Sequence, residues 1–369
     1  MTVAELRTTK KTICKQKTMR IIFITDTLAS GGAERVISVL ANKLSMQYDE
    51  VEIVCLRKHL VFYDIDPKVK IVFAEDYSNG WISKILWLRN YIKKDDVVIS
   101  FMIRVYCVTL LSLLGLKRNI ITSERNDPKA VGIKWKILRS ILLPTTTKHV
   151  VQTQKIKSYF PSFIQKKISI IYNPINLNQC GEKEWNATRV SILAMARLDK
   201  QKNYPMMIKA FLKFHEKYPH FILDIWGNRE HDEQLSEIKQ MIADNNASDF
   251  IKLNGRCNDV AKEYEKAYMF LLTSNFEGFS NSLMEAVCSG VPTISTKVSG
   301  ATDLLEDGIN GFLIDINRDD QLYDAMVTLA ENPKLASNMA KEGKKARCKF
   351  EEAKIVSEWS SLINTLLYK

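Results

Sequence analysis

The sequence predicts an α/β protein of two domains, each with a parallel β-sheet and helices on both faces. Strand-like and helix-like segments alternate along almost all of the 369 residues, and this alternation is typical of doubly wound sheets. The length corresponds to about two domains. A stretch rich in turn-forming residues, Asn173–Gly181, follows a predicted strand near the middle of the chain, and we interpret it as the hinge.

In the first domain, short apolar runs predict strands, and apolar residues at helical spacing predict helices. The strands are predicted at Met19–Thr25, Val51–Leu56, Val97–Phe101, Asn119–Thr122 and Ile168–Tyr172. The helices are predicted at Ala33–Met46, at Trp81–Lys93 and from Val105 onwards. We expect this domain to span residues 19–175, after a flexible basic extension over residues 1–18.

The second domain, expected over residues 176–350, repeats the alternation. Its strands are predicted at Val190–Ala196, Phe221–Trp226, Phe250–Leu253, Met269–Thr273, Pro292–Ser295 and Gly311–Ile314. Its helices are predicted at Tyr204–Lys217, Asp232–Ala243, from Asn258, at Ser280–Ser289 and onwards to the end. Because such sheets bind ligands at the carboxyl ends of their strands, the loops that follow the strands are where a site is expected.

The net charge of +11 is distributed unevenly along the chain. Residues 1–175 contain 29 Lys or Arg and 14 Asp or Glu, whereas the remaining residues contain 24 and 28. A strongly basic half is attracted to anionic surfaces, such as nucleic acid or an anionic membrane. Since no zinc-finger, RRM-type or helix-turn-helix signature is present, the membrane is the favoured partner and nucleic acid is not expected.

Other features of the composition exclude several classes of protein. The seven cysteines are scattered, odd in number and form no C-x-x-C pair, which predicts reduced thiols in a cytosolic protein without a zinc site. The longest apolar run, Val105–Leu116, is too short to span a bilayer. Met1–Lys17 lacks the apolar core of a signal peptide. We therefore expect a cytoplasmic protein.

The most informative motif is Glu277-Gly-Phe-Ser-Asn-Ser-Leu-Met-Glu285, which lies between a predicted strand and a predicted helix. The N-terminus of that helix offers unpaired N–H groups and the positive end of the helix dipole, which suits a phosphate. The two flanking carboxylates are available for the hydroxyl groups of a sugar nucleotide. Alone, this pair would favour helix capping and a solvated glutamate, so the other strand ends decide the interpretation.

Three further strand ends of the second domain have groups suited to a nucleotide. Arg197 and Lys202 follow the first strand and can clamp a diphosphate, although an isolated basic turn would more simply be solvated. Gly227 follows the second strand, where it either lets the backbone approach a ligand or forms a tight turn. Arg256 and Cys257 end the third strand, where exposed backbone can contact a base edge. Four strand ends thus converge on nucleotide, diphosphate and sugar chemistry.

The first domain has a matching glycine-rich motif between its first strand and first helix. Asp26–Arg35 contains the pair Gly31 and Gly32 just before the predicted helix. Glycines at a helix N-terminus allow the backbone to approach a phosphate or an acceptor closely. For the motif alone, an ordinary glycine-rich turn is the alternative.

Together, these motifs resemble those of retaining glycosyltransferases of family four, the glycosyl transferases group 1, which have the GT-B architecture. The resemblance runs from about residue 19 to the end and is strongest over residues 190–315. Gly290-Val-Pro-Thr-Ile and Gly308-Ile-Asn-Gly311 also match there. The resemblance implies two Rossmann-like domains that face each other across a cleft. Residues 351–369 are expected to form a C-terminal helix that packs back on the N-terminal domain.

The resemblance also implies roles for individual residues. Arg197 and Lys202 would bind the donor diphosphate, Glu285 would bind the ribose hydroxyls, and Glu277 would face the donor sugar. The wider donor site would include Gly31, Gly32, Gly227, Arg256, Cys257, Gly278, Phe279, Ser280 and Asn281. No metal is expected, because no DxD carboxylate pair occupies a suitable strand end. No cofactor is expected beside the nucleotide-sugar substrate.

The chain departs from the commonest family pattern at two places. Many members have a histidine after the fourth strand of the N-terminal domain, where this chain has Glu124, Arg125 and Asn126. Either these residues take over the sugar-facing role, with Glu124 as a catalytic group, or they form a turn held by a Glu124–Arg125 contact. This segment resembles bacterial transferases that build lipid-linked oligosaccharides and surface polysaccharides. The second departure is Arg229, where the family usually has a glycine.

Two segments of the N-terminal domain mix basic and apolar residues. In the predicted helix Trp81–Lys93, one apolar stripe is expected in the core, formed by Trp81, Ile85, Leu88 and Ile92. Trp87 and Tyr91 form a second apolar patch on the same helix. Ile133–Leu143 is the better candidate for lying on a membrane surface, with a core helix that has snorkelling lysines as the alternative.

The sequence therefore predicts an enzyme, a metal-independent retaining hexosyltransferase. It would move a hexose or N-acetylhexosamine from a UDP-linked sugar to a lipid-linked or polysaccharide acceptor in bacterial cell-surface glycan assembly. Its basic N-terminal domain would bind the anionic inner face of the membrane. Two alternatives remain open. One is an enzyme similar to a nucleotide-sugar 2-epimerase, and the other is a non-catalytic nucleotide-sugar-binding subunit of a polysaccharide assembly complex.

Overall fold

The computed structural model describes residues 19–227 and 233–367. It contains two parallel sheets with helices packed on both faces, so the predicted α/β class with two doubly wound domains is confirmed. The predicted basic extension over residues 1–18 and the departure at Arg229 lie outside the described residues.

The N-terminal domain is built on seven parallel strands. They are β1 (Arg20–Thr25), β2 (Glu50–Cys55), β3 (Val69–Phe73), β4 (Val97–Phe101), β5 (Asn119–Ser123), β6 (Lys148–Val151) and β7 (Ile168–Ile170). Its helices are α1 (Gly32–Leu44), α2 (Trp81–Tyr91), α3 (Ile103–Ser112), α4 (Ile133–Leu142), α5 (Gln154–Tyr159) and α6 (Ser162–Gln165). The spatial order of the strands is β3-β2-β1-β4-β5-β6-β7.

The C-terminal domain is built on six parallel strands. They are β8 (Ser191–Met195), β9 (Ile222–Trp226), β10 (Ile251–Gly255), β11 (Ala267–Leu272), β12 (Thr293–Thr296) and β13 (Phe312–Ile314), in the spatial order β10-β9-β8-β11-β12-β13. The first helices are α7 (Tyr204–Lys217), α8 (Glu233–Asp244), α9 (Val260–Lys266), α10 (Asn281–Cys288) and α11 (Ser299–Leu304). They are followed by α12 (Asp319–Glu331), α13 (Pro333–Lys344), α14 (Arg347–Phe350) and α15 (Glu352–Leu367).

Different helices cover the two faces of the N-terminal sheet. Helices α1 and α15 pack on one face, where Leu40 and Trp359 are fully buried. Helices α2 to α6 pack on the other face, where Leu88 and Tyr106 are fully buried. The chain therefore returns to the N-terminal domain after it has completed the C-terminal one.

Each sheet reverses its winding at one point, between β1 and β4 in one domain and between β8 and β11 in the other. Doubly wound sheets bind ligands in the crevice at such a point. The two crevices face each other, because a Cβ added to Gly32 would lie 3.3 Å from Nδ2 of Asn281 in the opposite domain. The fold thus places the loops after β1 and β11 on opposite sides of one cleft.

A few elements of the structure differ from those that the sequence predicts. The strands β3 and β6 are not predicted, because they are short and include the polar residues Lys70 and His149 among apolar ones. The expected core stripe is wrong for Trp81, which is 55% exposed, because it is the first residue of α2 and the helix turns it outward. Lys84 is buried instead and donates a hydrogen bond to Glu75 at 3.0 Å.

Candidate functional site

The loop after β11 leads directly into the N-terminus of α10 in the cleft. Ser280 caps this helix, because its Oγ accepts a hydrogen bond from the N–H of Leu283 at 3.4 Å. Asn281, the first residue of α10, lies next to Gly32 of the other domain. The positive end of the helix dipole is therefore directed to the cleft, where it can bind a phosphate.

Glu277 and Lys202 form an ion pair just before this helix. Oε1 of Glu277 accepts hydrogen bonds from Nζ of Lys202 and, at 2.9 Å, from Oγ of Ser274. The two charged side chains are only 11% and 10% exposed. Lys202 is thus held just before the N-terminus of α10 by its ion pair with Glu277, where its ammonium group can reach an anion bound at the helix.

Arg197 lies between the two domains after β8. Its side chain is 57% exposed, and its nearest described carboxylate is Asp199, at 3.4 Å. Burial raises the pKa of Glu34, at the start of α1, and the positive charge of Arg197 opposes this rise. Arg197 is therefore close to the opposite domain and has donors accessible to a ligand in the cleft.

Glu285 is held by one residue from each domain. Nη1 of Arg35, in α1, donates to Oε1 of Glu285 at 2.5 Å, and the hydroxyl of Tyr264 donates to Oε2 at 3.1 Å. Arg35 also donates to Gln179 in the segment that connects the domains. The carboxylate expected to bind ribose is therefore already paired in this conformation.

Sequence reasoning missed Arg35, Tyr264 and Glu34 as residues of the site. A signal existed for Arg35 and Glu34, since both belong to the glycine-rich motif Asp26–Arg35 at the first helix N-terminus. No sequence signal marks Tyr264, because it comes from α9 and reaches Glu285 only through the packing of that helix on α10.

Arg125, in the N-terminal domain, lies against the loop that precedes α10. A Cβ added to Gly278 would lie 2.7 Å from the carbonyl oxygen of Arg125 and 2.9 Å from Cα of Asn126. The guanidinium of Arg125 lies 4.4 Å from the ring centroid of Phe101 and donates to Oδ1 of Asn173 at 2.8 Å. Burial lowers the pKa of Arg125 to about 9.

Two nitrogens of this guanidinium, Nε and Nη2, are buried and have no hydrogen-bond partner within the part of the chain that the structure describes. A buried cation without a counter-charge is costly, and such a group in a native protein calls for an explanation, of which a bound anion is one. Arg125 is therefore a candidate for binding an anionic group of a substrate.

A chain of amide side chains connects Arg125 to α10. Oδ1 of Asn173 accepts hydrogen bonds from Arg125 and from Gln152, and Nδ2 of Asn173 donates to Oδ1 of Asn281 at 2.6 Å. Asn126 forms a local turn, in which its Oδ1 accepts from the N–H of Asp127 at 2.8 Å. Asn173 thus connects the segment after β5 to α10 by hydrogen bonds.

The prediction for Glu124 needs a correction. Its side chain is buried at 1% exposure and accepts hydrogen bonds from Tyr106 at 2.8 Å and Arg139 at 3.2 Å. Burial raises the pKa of Glu124, and the positive charge of Arg139 opposes this rise. In this conformation Glu124 cannot contact a substrate, and its ionic partner is Arg139 and not the expected Arg125.

Two of the expected donor-site residues have structural contacts. A Cβ on Gly227 would lie 1.8 Å from the carbonyl oxygen of Ala196, and the N–H of Gly227 donates to Gly255 at 2.7 Å. This favours the tight-turn interpretation of Gly227. The ring of Phe279 is buried between Tyr172 and Phe350, and its Cα lies so close to Gly300 that a Cβ there would be 2.6 Å away, so this residue packs the loop before α10.

Arg256 and Cys257, which are predicted to contact a base edge, follow directly after β10. The guanidinium of Arg256 lies 4.0 Å from the ring centroid of Phe62, which belongs to the N-terminal domain. Cys257 is half-buried, and burial raises the pKa of its thiol. Arg256 therefore contributes to the contact between the domains.

The structure also bears on metal and membrane chemistry. Within residues 19–227 and 233–367, no three His, Cys, Asp or Glu side chains form a group that could hold a metal ion. In the same ranges, every helix is too short or too polar to cross a bilayer.

Known proteins resemble this chain over nearly its whole length. A family model described as glycosyl transferases group 1 matches residues 179–346. The chain is 29% identical over 366 residues to a Campylobacter jejuni "GalNAc-alpha-(1->4)-GalNAc-alpha-(1->3)-diNAcBac-PP-undecaprenol alpha-1,4-N-acetyl-D-galactosaminyltransferase", covering 94% of this chain and 98% of that relative. It is 28% identical over 360 residues to the Campylobacter jejuni "N-acetylgalactosamine-N,N'-diacetylbacillosaminyl-diphospho-undecaprenol 4-alpha-N-acetylgalactosaminyltransferase", covering 90% and 95%.

A solved structure has the same fold. Anabaena Alr3699/HepE in complex with UDP-glucose superposes with a TM-score of 0.80 at 16% identity, covering 94% of this chain and 99% of that one. At this identity the likeness concerns the fold, and it confirms the predicted GT-B arrangement of two Rossmann-like domains.

Proposed function

We infer the activity of this chain from the family to which residues 179–346 belong, the glycosyl transferases group 1. The chain is a glycosyltransferase, and we propose that it moves a hexose or N-acetylhexosamine from a UDP-linked sugar with retention of configuration. The observation that carries the proposal is the arrangement around the N-terminus of α10, where the Lys202–Glu277 pair precedes the helix and Glu285 lies within it.

The donor would bind with its diphosphate at the N-terminus of α10. Lys202 and Arg197 would neutralise the phosphate oxygens together with the helix dipole. Glu285 would accept hydrogen bonds from the ribose hydroxyls once Arg35 has released it, and Glu277 would hold the donor sugar. The choice of UDP is supported by the UDP-glucose complex of the Anabaena structure with the same fold.

In the proposed reaction, the bond between the anomeric carbon and the diphosphate oxygen breaks as the acceptor hydroxyl attacks that carbon from the same face. The electron pair of the broken bond goes to the leaving diphosphate, and the acceptor proton moves to a phosphate oxygen. Preorganised positive groups stabilise the charge that develops on the leaving group. Lys202, Arg197 and α10 supply these groups, so we propose that neither a metal nor a further cofactor is needed.

The proposed acceptor is a lipid-linked glycan in bacterial cell-surface glycan assembly, with a polysaccharide as the alternative form. This is supported by the Campylobacter jejuni relatives, whose names specify undecaprenol-linked substrates. We further propose that the protein works at the inner face of the membrane, held there by its basic N-terminal domain.

The test is UDP release from a panel of UDP- and GDP-sugars by the purified chain, with undecaprenol-linked acceptors in detergent. Lys202→Ala and Glu277→Ala should each lower kcat at least about 100-fold, because each removes a charge next to the reacting groups. Lys209→Ala is the matched control, since this lysine is 70% exposed and pairs with Asp319 on the domain surface. A chelator should leave the rate unchanged.

The outcomes separate the possibilities. Full turnover in both the Lys202 and Glu277 variants would contradict the site. Tight binding of one UDP-sugar without transfer to any acceptor would indicate a binding subunit. Loss of activity with a chelator, restored by Mg²⁺, would contradict the metal-independent mechanism.

A further inference from the structure

We propose that the outward side of helices α2, α3 and α4 is the surface by which this protein binds an anionic lipid bilayer. The three helices are neighbours on one face of the N-terminal sheet, with α3 between the other two. This inference rests on the proposed function, because a lipid-linked acceptor is presented at such a surface. The basic charge of the whole domain indicates an anionic partner, and these three helices are the part of the domain that would contact it.

Helix α4 has a line of exposed isoleucines. Ile133, Ile137 and Ile141 follow one another at intervals of four residues and are 69%, 56% and 65% exposed. Residues at this interval share one face of a helix. A surface helix normally has polar residues on its solvent side, so an isoleucine face that is turned outward indicates a contact surface.

Helices α2 and α3 extend this apolar surface. Trp81, Ile82 and Leu86 of α2 are each more than half exposed. Leu111 of α3 and Leu114 just after it are also exposed between the two outer helices. Large apolar side chains are therefore exposed on all three neighbouring helices, and not at one isolated position.

The charge of these helices complements an anionic surface. Together they contain six Lys or Arg residues and no Asp or Glu. Arg104 of α3 and Lys134 of α4 are exposed, whereas Lys84 and Arg139 are buried in ion pairs. Apolar side chains that enter the lipid interface, bordered by cations that meet phosphates, are the hallmark of a helix lying on an anionic leaflet.

The same charge disfavours a second copy of this chain as the occupant. Two such faces would place basic residues against basic residues with no acid on the three helices to compensate them. From residue 128 to residue 181 the sequence contains no Asp or Glu at all. A leaflet of anionic lipids is therefore the partner that fits both the apolar and the charged groups.

The surface lies beside the cleft. Helix α3 begins two residues after β4 ends, at the carboxyl edge of the sheet that borders the cleft, and α4 follows β5 after a loop over residues 124–132. Arg104 and Trp135, near the starts of these helices, are in contact, with the guanidinium 5.8 Å from the ring centroid. A lipid anchored in a bilayer under this face would bring its head group to the edge of the active site.

The experiment is co-sedimentation of the full chain with vesicles of phosphatidylcholine, alone or mixed with phosphatidylglycerol. The wild-type protein should bind the mixed vesicles and be released by high salt, because salt screens the interaction of Lys and Arg with lipid phosphates. The double variant Ile137→Asn, Ile141→Asn should bind at least about tenfold more weakly, since it withdraws two isoleucines from the lipid interface. Ile316→Asn is the matched control, because this isoleucine is exposed in the C-terminal domain.

UDP binding by each variant is measured alongside. If the wild-type protein binds UDP but not anionic vesicles, or if the double variant binds vesicles as well as the wild type, the surface is wrong while the proposed function stands. If vesicles bind and no UDP-sugar does, the proposed function fails and the surface stands. A dimer of the wild-type chain that the double variant dissociates would assign the surface to a second copy and overturn the inference.

Discussion

At the scale of single residues, Arg20 and Arg125 have contrasting surroundings. Arg20 is surrounded by carboxylates, with Asp96 at 2.6 Å and Glu52 at 3.3 Å. Arg125 has one hydrogen bond to a neutral amide and lies over Phe101. The ion pairs of Arg20 stabilise the folded protein. Burial of Arg125 without a counter-charge destabilises it, and a substrate anion would offset this cost.

This contrast predicts opposite effects of the same substitution. Arg125→Met should raise the free energy of unfolding by about 1 kcal/mol, because it removes an uncompensated buried charge and keeps most of the side-chain volume. The same variant should lose most of its transfer activity. Arg20→Met should lower the free energy of unfolding by about 2 kcal/mol or more, because it leaves Asp96 and Glu52 without their partner.

Chemical denaturation of both variants followed by fluorescence checks this prediction, with UDP release as the functional readout. A destabilised Arg125→Met protein would mean that the ring contact and the Asn173 hydrogen bond outweigh the cost of burying the charge. A stabilised variant with full activity would remove Arg125 from the site.

At the scale of elements, the cleft is closed by backbone contacts as well as by side chains. The loop before α10 and the segment after β5 approach so closely at Gly278 that a side chain has no space there. Gly132, before α4, has open space around the position of a Cβ and a φ of −62°. The two glycines therefore serve different purposes, and only the first is required by a contact between domains.

Gly278→Ala should push the two segments apart, because its Cβ would lie 2.7 Å from the carbonyl oxygen of Arg125. We expect at least about a tenfold loss of kcat, since a displacement of about 1 Å can cost far more than the contact itself. Gly132→Ala should keep full activity and gain up to about 0.5 kcal/mol in stability. Steady-state kinetics and denaturation of both variants test this, and equal activity of the two would contradict a closed cleft during catalysis.

Much of the element pattern is predictable from the sequence, and the exceptions have physical reasons. The bounds of α7 match the prediction because its apolar residues repeat at helical spacing over fourteen residues. The strand β6 is missed because a four-residue strand with Lys148 and His149 leaves almost no pattern to detect. The motif at Glu277–Glu285 predicts the loop between β11 and α10, whereas Tyr264 and Arg35, which bind Glu285, come from separate helices whose approach depends on packing. The placement of Glu124 is not predictable, because a sequence does not reveal on which side of a strand end a carboxylate lies, and here it points to Tyr106 and Arg139.

At the scale of the whole molecule, the two domains are held together across the cleft by a few polar contacts. Arg35 reaches Glu285 and Gln179, Asn173 reaches Asn281, and Asp303 of α11 accepts from the backbone N–H of Gln154. Two of these contacts use residues that a nucleotide sugar would also need. Donor binding is therefore expected to replace these two contacts between the domains with contacts to the donor.

We predict that Arg35→Ala shifts the nucleotide-free protein toward an open form, because it removes a buried charged hydrogen bond between the domains. The open population should rise about tenfold or more, as expected for the loss of one such bond. Small-angle scattering would detect this as a larger radius of gyration than that of the wild type. Lys43→Ala is the control, since Lys43 on the same helix pairs with Glu352 of α15 within one domain. An unchanged radius for Arg35→Ala would mean that the other contacts suffice to hold the domains.

The packing of α15 has a consequence for how the protein is made. The side chain of Trp359 is fully buried against the N-terminal sheet, so the last helix completes the interior of the domain that is synthesised first. During translation, α15 is made after the whole C-terminal domain, so one face of the N-terminal sheet lacks this helix until then. A chain truncated before α15 is therefore expected to expose the apolar residues that Trp359 covers and to aggregate.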